Sequence, residues 1–107
     1  MSLYRFKSRE TGDLVMLEPH GRRILEILEK DTASGIIQHE EMAAAVTKLH
    51  EAAAAEATEQ ARMLDEARAQ DEVPPEFDTV TLKHRIAPFV EMLERCEQAT
   101  VDVVWGV

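Results

Sequence analysis

Large apolar and basic side chains alternate over residues 3–7, at the start of the chain. A period of two residues is typical of a strand with one buried face, so the pattern predicts a first strand there. A polar stretch follows, in which Gly12 can adopt the positive φ that a tight reversal needs, and residues 14–17 are again apolar. The two runs predict an N-terminal β-hairpin.

A helical spacing of apolar residues follows the hairpin. Pro19 lacks the donor of a sheet ladder but suits the first turn of a helix, so a helix is predicted from about residue 20 to residue 30. Its core-facing stripe consists of Ile24, Leu25, Ile27 and Leu28. Residues 31–35 are small or polar, and no helix or strand is predicted for the short apolar pair Ile36 and Ile37.

Residues 39–70 predict a long helix, because they are rich in alanine and other strong helix formers and carry Glu40 and Glu41 in the first turn. Such a helix is about 48 Å long, whereas a domain of this size is roughly 34 Å across. No bulky side chain lies between Leu49 and Met63. We therefore expect the helix to bend, to project from the domain, or to be covered along its alanine face by the same helix of a second copy.

The Pro-rich residues 71–79 break this helix, since neither Pro74 nor Pro75 can continue it. A third helix is predicted over residues 81–98, where apolar residues again share one face. Pro88 lies inside it and removes a backbone donor, so a kink or a separate first turn is expected there.

Residues 101–105 predict a third strand at the end of the chain. The expected fold class is α+β, with residues 1–107 forming a single domain. The N-terminal hairpin and the C-terminal strand form one small three-stranded sheet, and three helices, one of them long and acidic, pack on it.

The formal net charge of −9 lies mostly in the middle of the chain. Residues 39–73 hold nine acidic and three basic side chains, two thirds of the excess. Negative charge repels phosphate backbones and anionic lipids, so neither nucleic acid nor membrane is expected as a partner. The chain has no run of about 20 apolar residues, no signal-like N-terminus and a single cysteine, which together predict a cytoplasmic protein.

The spacing of the histidines does not favour a metal site. His39 and His50 are eleven residues apart, which places them on one helix face but about 16 Å from each other. His20 and His84 lie in other segments. We expect no metal.

No set of residues forms a recognisable catalytic constellation. The neighbouring acids Glu40 and Glu41 point about 100° apart on a helix and do not converge on one substrate atom. Cys96 lies on the apolar stripe of the third helix, which is typical of a buried structural cysteine. Neither a nucleophile elbow nor a glycine-rich phosphate loop occurs. No catalytic residue and no cofactor are predicted.

The strongest candidate site is the predicted helix start formed by His20, Gly21, Arg22 and Arg23. Free backbone N–H groups and the positive end of the helix dipole can hold a carboxylate or a phosphate there. The alternative is that the arginines only balance nearby acids. A second basic stretch, residues 83–85, is a weaker candidate of the same kind.

Tyr4 and Trp105 lie on predicted strands at opposite ends of the chain. Both are expected to pack in the core with the polar tip of the ring at the surface. The alternative places Tyr4 and Trp105 in the lining of a small-molecule pocket or in a contact with a partner.

Short distinctive motifs lie at both ends of the chain. They are YRFKS at residues 4–8, TGD at 11–13, MLEP at 16–19, GII at 35–37, Pro88 with EML at 91–93, and VWGV at 104–107. Together they resemble a bacterial family catalogued as domain of unknown function 1840. The resemblance spans nearly the whole chain, although the long acidic helix matches only in character. It implies an architecture and no activity, cofactor or site.

Three functional hypotheses follow from these patterns. The leading one is a non-catalytic interaction module that binds another protein or forms a homodimer through the long helix or a sheet edge. The alternative is a binder of a small anion or metabolite that uses residues 20–23 together with Trp105. The third is an enzyme whose site spans two subunits.

Overall fold

The computed structural model describes residues 2–107 and contains one four-stranded antiparallel sheet. Its strands are β1 (Leu3–Lys7), β2 (Leu14–Leu17), β3 (Gly35–Ile37) and β4 (Val103–Trp105), in the order β2-β1-β4-β3. The predicted hairpin is confirmed, and the C-terminal strand joins it as expected, beside β1.

The predicted sheet of three strands is one strand too small. Ile36 and Ile37 belong to β3, which pairs with β4. A strand of three residues is too short to show a period along the sequence. Glycine at position 35 permits this pairing, because a Cβ atom there would lie 2.6 Å from the ring of Trp105.

Three helices complete the α+β fold. They are α1 (Glu18–Ile27), α2 (Met42–Ala69) and α3 (Leu82–Ala99), and a short 3₁₀ turn, His39–Glu41, leads into α2. α1 starts directly after β2, two residues earlier than predicted. Within residues 2–107, none of the helices combines the length and the apolar composition needed to cross a membrane.

α2 is one unbroken helix of 28 residues, about 42 Å long, so the prediction of a long helix is confirmed. α3 begins beside its middle, where the N–H group of Leu82 donates to a carboxylate oxygen of Glu56 at 2.8 Å. Residues 70–81 therefore return along the outer part of α2. Ala67 is buried there, and Phe77 of the returning segment is partly buried. The outer part of α2 projects from the body of the molecule and is lined on one side by this segment.

α3 continues through Pro88 as a single helix. The alternative of a separate first turn is therefore wrong. Pro88 and His84 are both exposed, so water can reach the carbonyl that loses its helical donor, and the rest of the helix is retained by its buried face.

The helices cover one face of the sheet. Phe6 on β1, Phe89 on α3 and Trp105 on β4 are fully buried at the centre of this layer. The ring centroid of Phe6 lies 4.8 Å from that of Phe89 and 6.0 Å from that of Trp105. Such aromatic pairs add about 0.5–1.5 kcal/mol each to the free energy gained from burial. Cys96 is also fully buried, as the sequence predicts.

Trp105 does not place its polar tip at the surface, so that prediction is wrong. The ring is completely buried, and its N–H group donates to the carbonyl of Asp31 at 2.9 Å. The hydroxyl of the half-buried Tyr4 donates to the carbonyl of Thr32. Both aromatic side chains use their polar group to hold the loop between α1 and β3 against the sheet.

Candidate functional site

The two basic stretches singled out in the sequence meet in space. Arg85, in the first turn of α3, donates a hydrogen bond from Nη1 to Nε2 of His20 on α1, at 2.7 Å. Arg23 of the first stretch reaches α2, where Nη2 lies 3.4 Å from Oε1 of Glu56. The side chains of both stretches thus connect helices to one another.

The start of α1 offers an anion fewer donors than its sequence suggests. The helix begins at Glu18, and the N–H group of Glu18 already donates to the carbonyl of Ser2. Pro19 has no N–H group to offer. The carboxylate of Glu18 stands in the first turn, 3.7 Å from Nη2 of Arg22. Anion binding at residues 20–23 stays a prediction.

The other two residues of the predicted site, Gly21 and Trp105, are both buried. Gly21 is buried against Tyr4, and a Cβ atom at this glycine would lie 2.7 Å from the tyrosine side chain. Glycine is required there because α1 packs closely on β1. Trp105 lies in the core and is fully buried, so the structure does not bring it to the surface beside His20.

Glu56 is the acidic residue that joins the three helices. Its Oε1 faces Arg23 of α1, and its Oε2 accepts the N–H group of Leu82 at the start of α3. The side chain retains only 19% of its accessible surface. Sequence reasoning missed this residue, because along the chain it is one of many acids on an Ala-rich helix.

His39 lies between two carboxylates. Its Nδ1 is 3.1 Å from Oδ1 of Asp102, and its Nε2 is 2.7 Å from Oε1 of Glu40. The backbone N–H group of His39 also donates to Asp102, at 2.9 Å. The bond from this backbone group, followed by the bond from the ring, lowers the pKa of Asp102.

These three residues were not grouped by the sequence reasoning, because Asp102 is 63 residues away from His39 along the chain. One candidate ligand atom from each of the three residues lies within 4.8 Å of the others. The two ring nitrogens of His39, however, face different carboxylates on opposite sides of the ring, and one metal ion can bind only one of them. The observed bonds orient the imidazole and fasten the turn before α2 to the residue before β4.

β2 is an edge strand that carries no charged side chain. The N–H group of Glu18, the residue after β2, donates to the carbonyl of Ser2, the residue before β1. Because antiparallel strands alternate the direction of their backbone groups, Val15 and Leu17 point their N–H groups away from β1. Proteins protect such an edge with a very short strand, lysine, proline or a bulge; β2 is four residues long and has no lysine, proline or bulge.

The face of the sheet that points away from the helices is mostly apolar. Its outward side chains are Leu3, Arg5, Lys7, Val15, Leu17, Ile36 and Val104. Five of these seven are apolar, whereas a sheet with one solvated face usually carries polar residues there. Leu3, Val15 and Leu17 are 58%, 42% and 40% exposed and lie together on β1 and β2. We call these three residues the β2 patch.

Comparison with known proteins gives one match. Neither the curated protein sequences nor the solved structures contain a significant match to the chain. The profile of one family covers residues 2–105. This is the family that the terminal motifs resemble, and the match extends through the long helix as well. The chain therefore belongs to the family described as "Domain of unknown function (DUF1840)".

Proposed function

We propose that the protein is a non-catalytic interaction module that forms a homodimer through the free edge of β2. The observation that carries this proposal is the position of the β2 patch directly beside an edge strand without charge or proline. A second copy of β2, paired antiparallel to the first, would accept the outward N–H groups of Val15 and Leu17.

Such pairing gives a two-fold symmetric dimer with one continuous eight-stranded sheet. The β2 patches of the two copies then adjoin each other across the symmetry axis. Each copy shields part of the other's Val15 and Leu17 from water, and apolar burial contributes about 25 cal/mol per Å². This pairing of two β2 strands would explain why exposed apolar residues lie near this edge.

The charge distribution also favours this edge. Two chains of net charge −9 repel each other, so a contact between them requires a surface free of acidic excess. β2 has no charge, and the nearby Arg5 and Asp13 neutralise each other at 3.0 Å. Residues 39–73, in contrast, hold nine acidic and three basic side chains. Pairing through α2 would bring these like charges together.

Sedimentation equilibrium tests the proposal. We expect the wild-type protein to show twice the chain mass of 12.1 kDa at micromolar concentration. Val15→Lys should weaken the dimer at least about tenfold, because two lysines would meet across the axis. Circular dichroism should show the same helix content in the variant and the wild type.

Ile36→Lys is the matched control. Ile36 is 40% exposed, close to the 42% of Val15, but it lies on β3 at the opposite edge of the sheet. This variant should remain dimeric. A monomeric wild type, or a Val15→Lys protein that dimerises as tightly as the wild type, would refute the β2 interface.

A further inference from the structure

A groove of about 570 Å³ lies between the middle of α2 and the first turn of α3. We call it the α2–α3 groove. Its floor consists of Ala53, Ala54 and Ala57, and its rim carries His50, Lys83 and His84. We propose that this groove binds a small carboxylate with an apolar chain, such as a medium-chain fatty acid.

The size and the floor of the groove suit an apolar chain. Ligand sites in proteins have volumes of about 300–1,000 Å³ and are lined mainly by apolar groups. Alanine side chains leave room between the two helices that larger residues would fill, and no bulky side chain lies between Leu49 and Met63. The floor from Ala53 to Gln60 is about 10 Å long, enough for the chain of octanoate.

The rim supplies positive charge in a chain that is otherwise acidic. Within residues 2–107, no carboxylate lies within ion-pairing distance of Lys83, and its side chain is exposed at the groove. The ring of His84 is held by the hydroxyl of Thr81, at 2.9 Å from Nδ1. An anionic head group placed here would meet an ammonium group and an imidazole.

Glu56, the acid of the groove, does not offset this charge. Its carboxylate is occupied by the guanidinium of Arg23 and by the N–H group of Leu82. The free charge that remains at the rim is therefore that of Lys83. An apolar floor with a cationic rim complements a ligand that is apolar at one end and anionic at the other, and it favours neither an inorganic anion nor a neutral lipid.

Titration of the ¹⁵N-labelled protein with octanoate, followed by NMR, tests this site. We expect shifts of the amide signals of Ala53, Ala57 and Lys83. Octan-1-ol has the same chain without the charge and should bind several-fold more weakly. Lys83→Gln should weaken octanoate binding about threefold, the size of an exposed ion pair, and should leave octan-1-ol binding unchanged.

Two tryptophan variants locate the binding. Ala57→Trp fills the floor and should abolish the octanoate shifts. Ala55→Trp is the matched control, since Ala55 is also an exposed alanine of α2 but does not line the groove. It should bind as the wild type does.

Three results would overturn the proposal. The first is the absence of groove shifts at millimolar octanoate. The second is equal binding by the Ala57→Trp and Ala55→Trp variants. The third is a fall in sedimenting mass caused by Ala57→Trp, which would make the groove a contact between copies of the chain. The groove is lined by residues of one copy, none of which belongs to β2, so a monomeric Val15→Lys protein should still bind octanoate.

Discussion

Two carboxylates fasten the start of α2 to the rest of the molecule. Asp102 accepts hydrogen bonds from the backbone and the ring of His39. Glu41 accepts one from the ammonium group of Lys30, at 2.7 Å, and one from the backbone of Gln38. These bonds, the one from Lys30 foremost, lower the pKa of Glu41, and the pKa of Asp102 is lowered as well. The charged form of each carboxylate therefore stabilises the folded state.

We predict that acid destabilises the protein through these two groups. Their pKa values are lower in the folded chain than the ordinary 3.8 of Asp102 and 4.5 of Glu41, so unfolding takes up protons in acid. Their contribution is present above about pH 5 and is lost as the pH falls through the folded-state values. Urea midpoints measured from about pH 6 to pH 3 should fall with decreasing pH. They should fall less steeply for Asp102→Asn, and an identical slope in that variant would contradict the prediction.

The burial of a single residue was predictable where it follows the helical period of apolar positions. Cys96 lies on the apolar stripe of its helix, and its burial follows from that position. The bond between His39 and Asp102 had no comparable signal, because it depends on how the turn before α2 meets the end of the chain. The prediction that the indole N–H group of Trp105 lies at the surface was wrong for a similar reason. The carbonyl that accepts this N–H group belongs to a loop that is distant along the chain.

Among the elements, the three helices are held together at one carboxylate. Glu56 lies near the middle of α2, where Arg23 of α1 and the first N–H group of α3 both reach it. A carboxylate at a helix start satisfies a backbone donor and opposes the positive end of the dipole. The acid thus caps the first N–H group of α3 from a neighbouring helix, beside the N-cap Thr81, whose hydroxyl accepts the N–H group of His84.

We predict that Glu56→Ala lowers the free energy of unfolding by about 1–3 kcal/mol, because it leaves a partly buried N–H group and the guanidinium of Arg23 without their acceptor. Urea denaturation measures the change. Glu59→Ala is the control, since Glu59 pairs with Arg62 on the exposed side of the same helix, and it should leave the midpoint nearly unchanged. Equal effects of the two substitutions would contradict the role given to Glu56.

The elements with a long or regular pattern were predicted, and one short element was not. α2 followed from its alanine content, and the hairpin followed from alternation and Gly12. β4 has three residues, like β3, but it lies in the longer run of residues 101–105 that predicted a strand. β3 was missed because its three residues stand alone and carry no usable period. At Pro88 a kink or a separate first turn was expected, but α3 is a single helix whose buried face continues on both sides of the proline.

At the scale of the whole molecule, shape and charge determine which surfaces of two copies can associate. The chain measures 52 × 30 × 20 Å because the outer part of α2 projects from the two-layer body. Two thirds of its net charge of −9 lies in residues 39–73, whereas the proposed contact is confined to the uncharged strand β2. In the proposed dimer, repulsion between the copies and attraction at β2 would therefore arise from different parts of the protein.

We predict that salt strengthens the dimer. Raising the NaCl concentration from about 0.1 M to 1 M shortens the screening length from about 10 Å to about 3 Å and reduces the repulsion between the two chains. The dissociation constant measured by sedimentation should fall several-fold. A dimer that salt weakens would indicate a contact made by ion pairs, which an uncharged β2 edge cannot supply.

The brevity of β3 bears on where assembly would stop. Once two copies have joined at β2, the only outer strands of the combined sheet are the two copies of β3, each three residues long. Within residues 2–107, β3 is one residue shorter than β2 and is flanked by no exposed apolar patch on a neighbouring strand like that of Leu3 beside β2, and very short edge strands are one of the means by which proteins avoid growth into fibres. In the proposed dimer, the two β3 edges would therefore be less suited than β2 to adding a third copy.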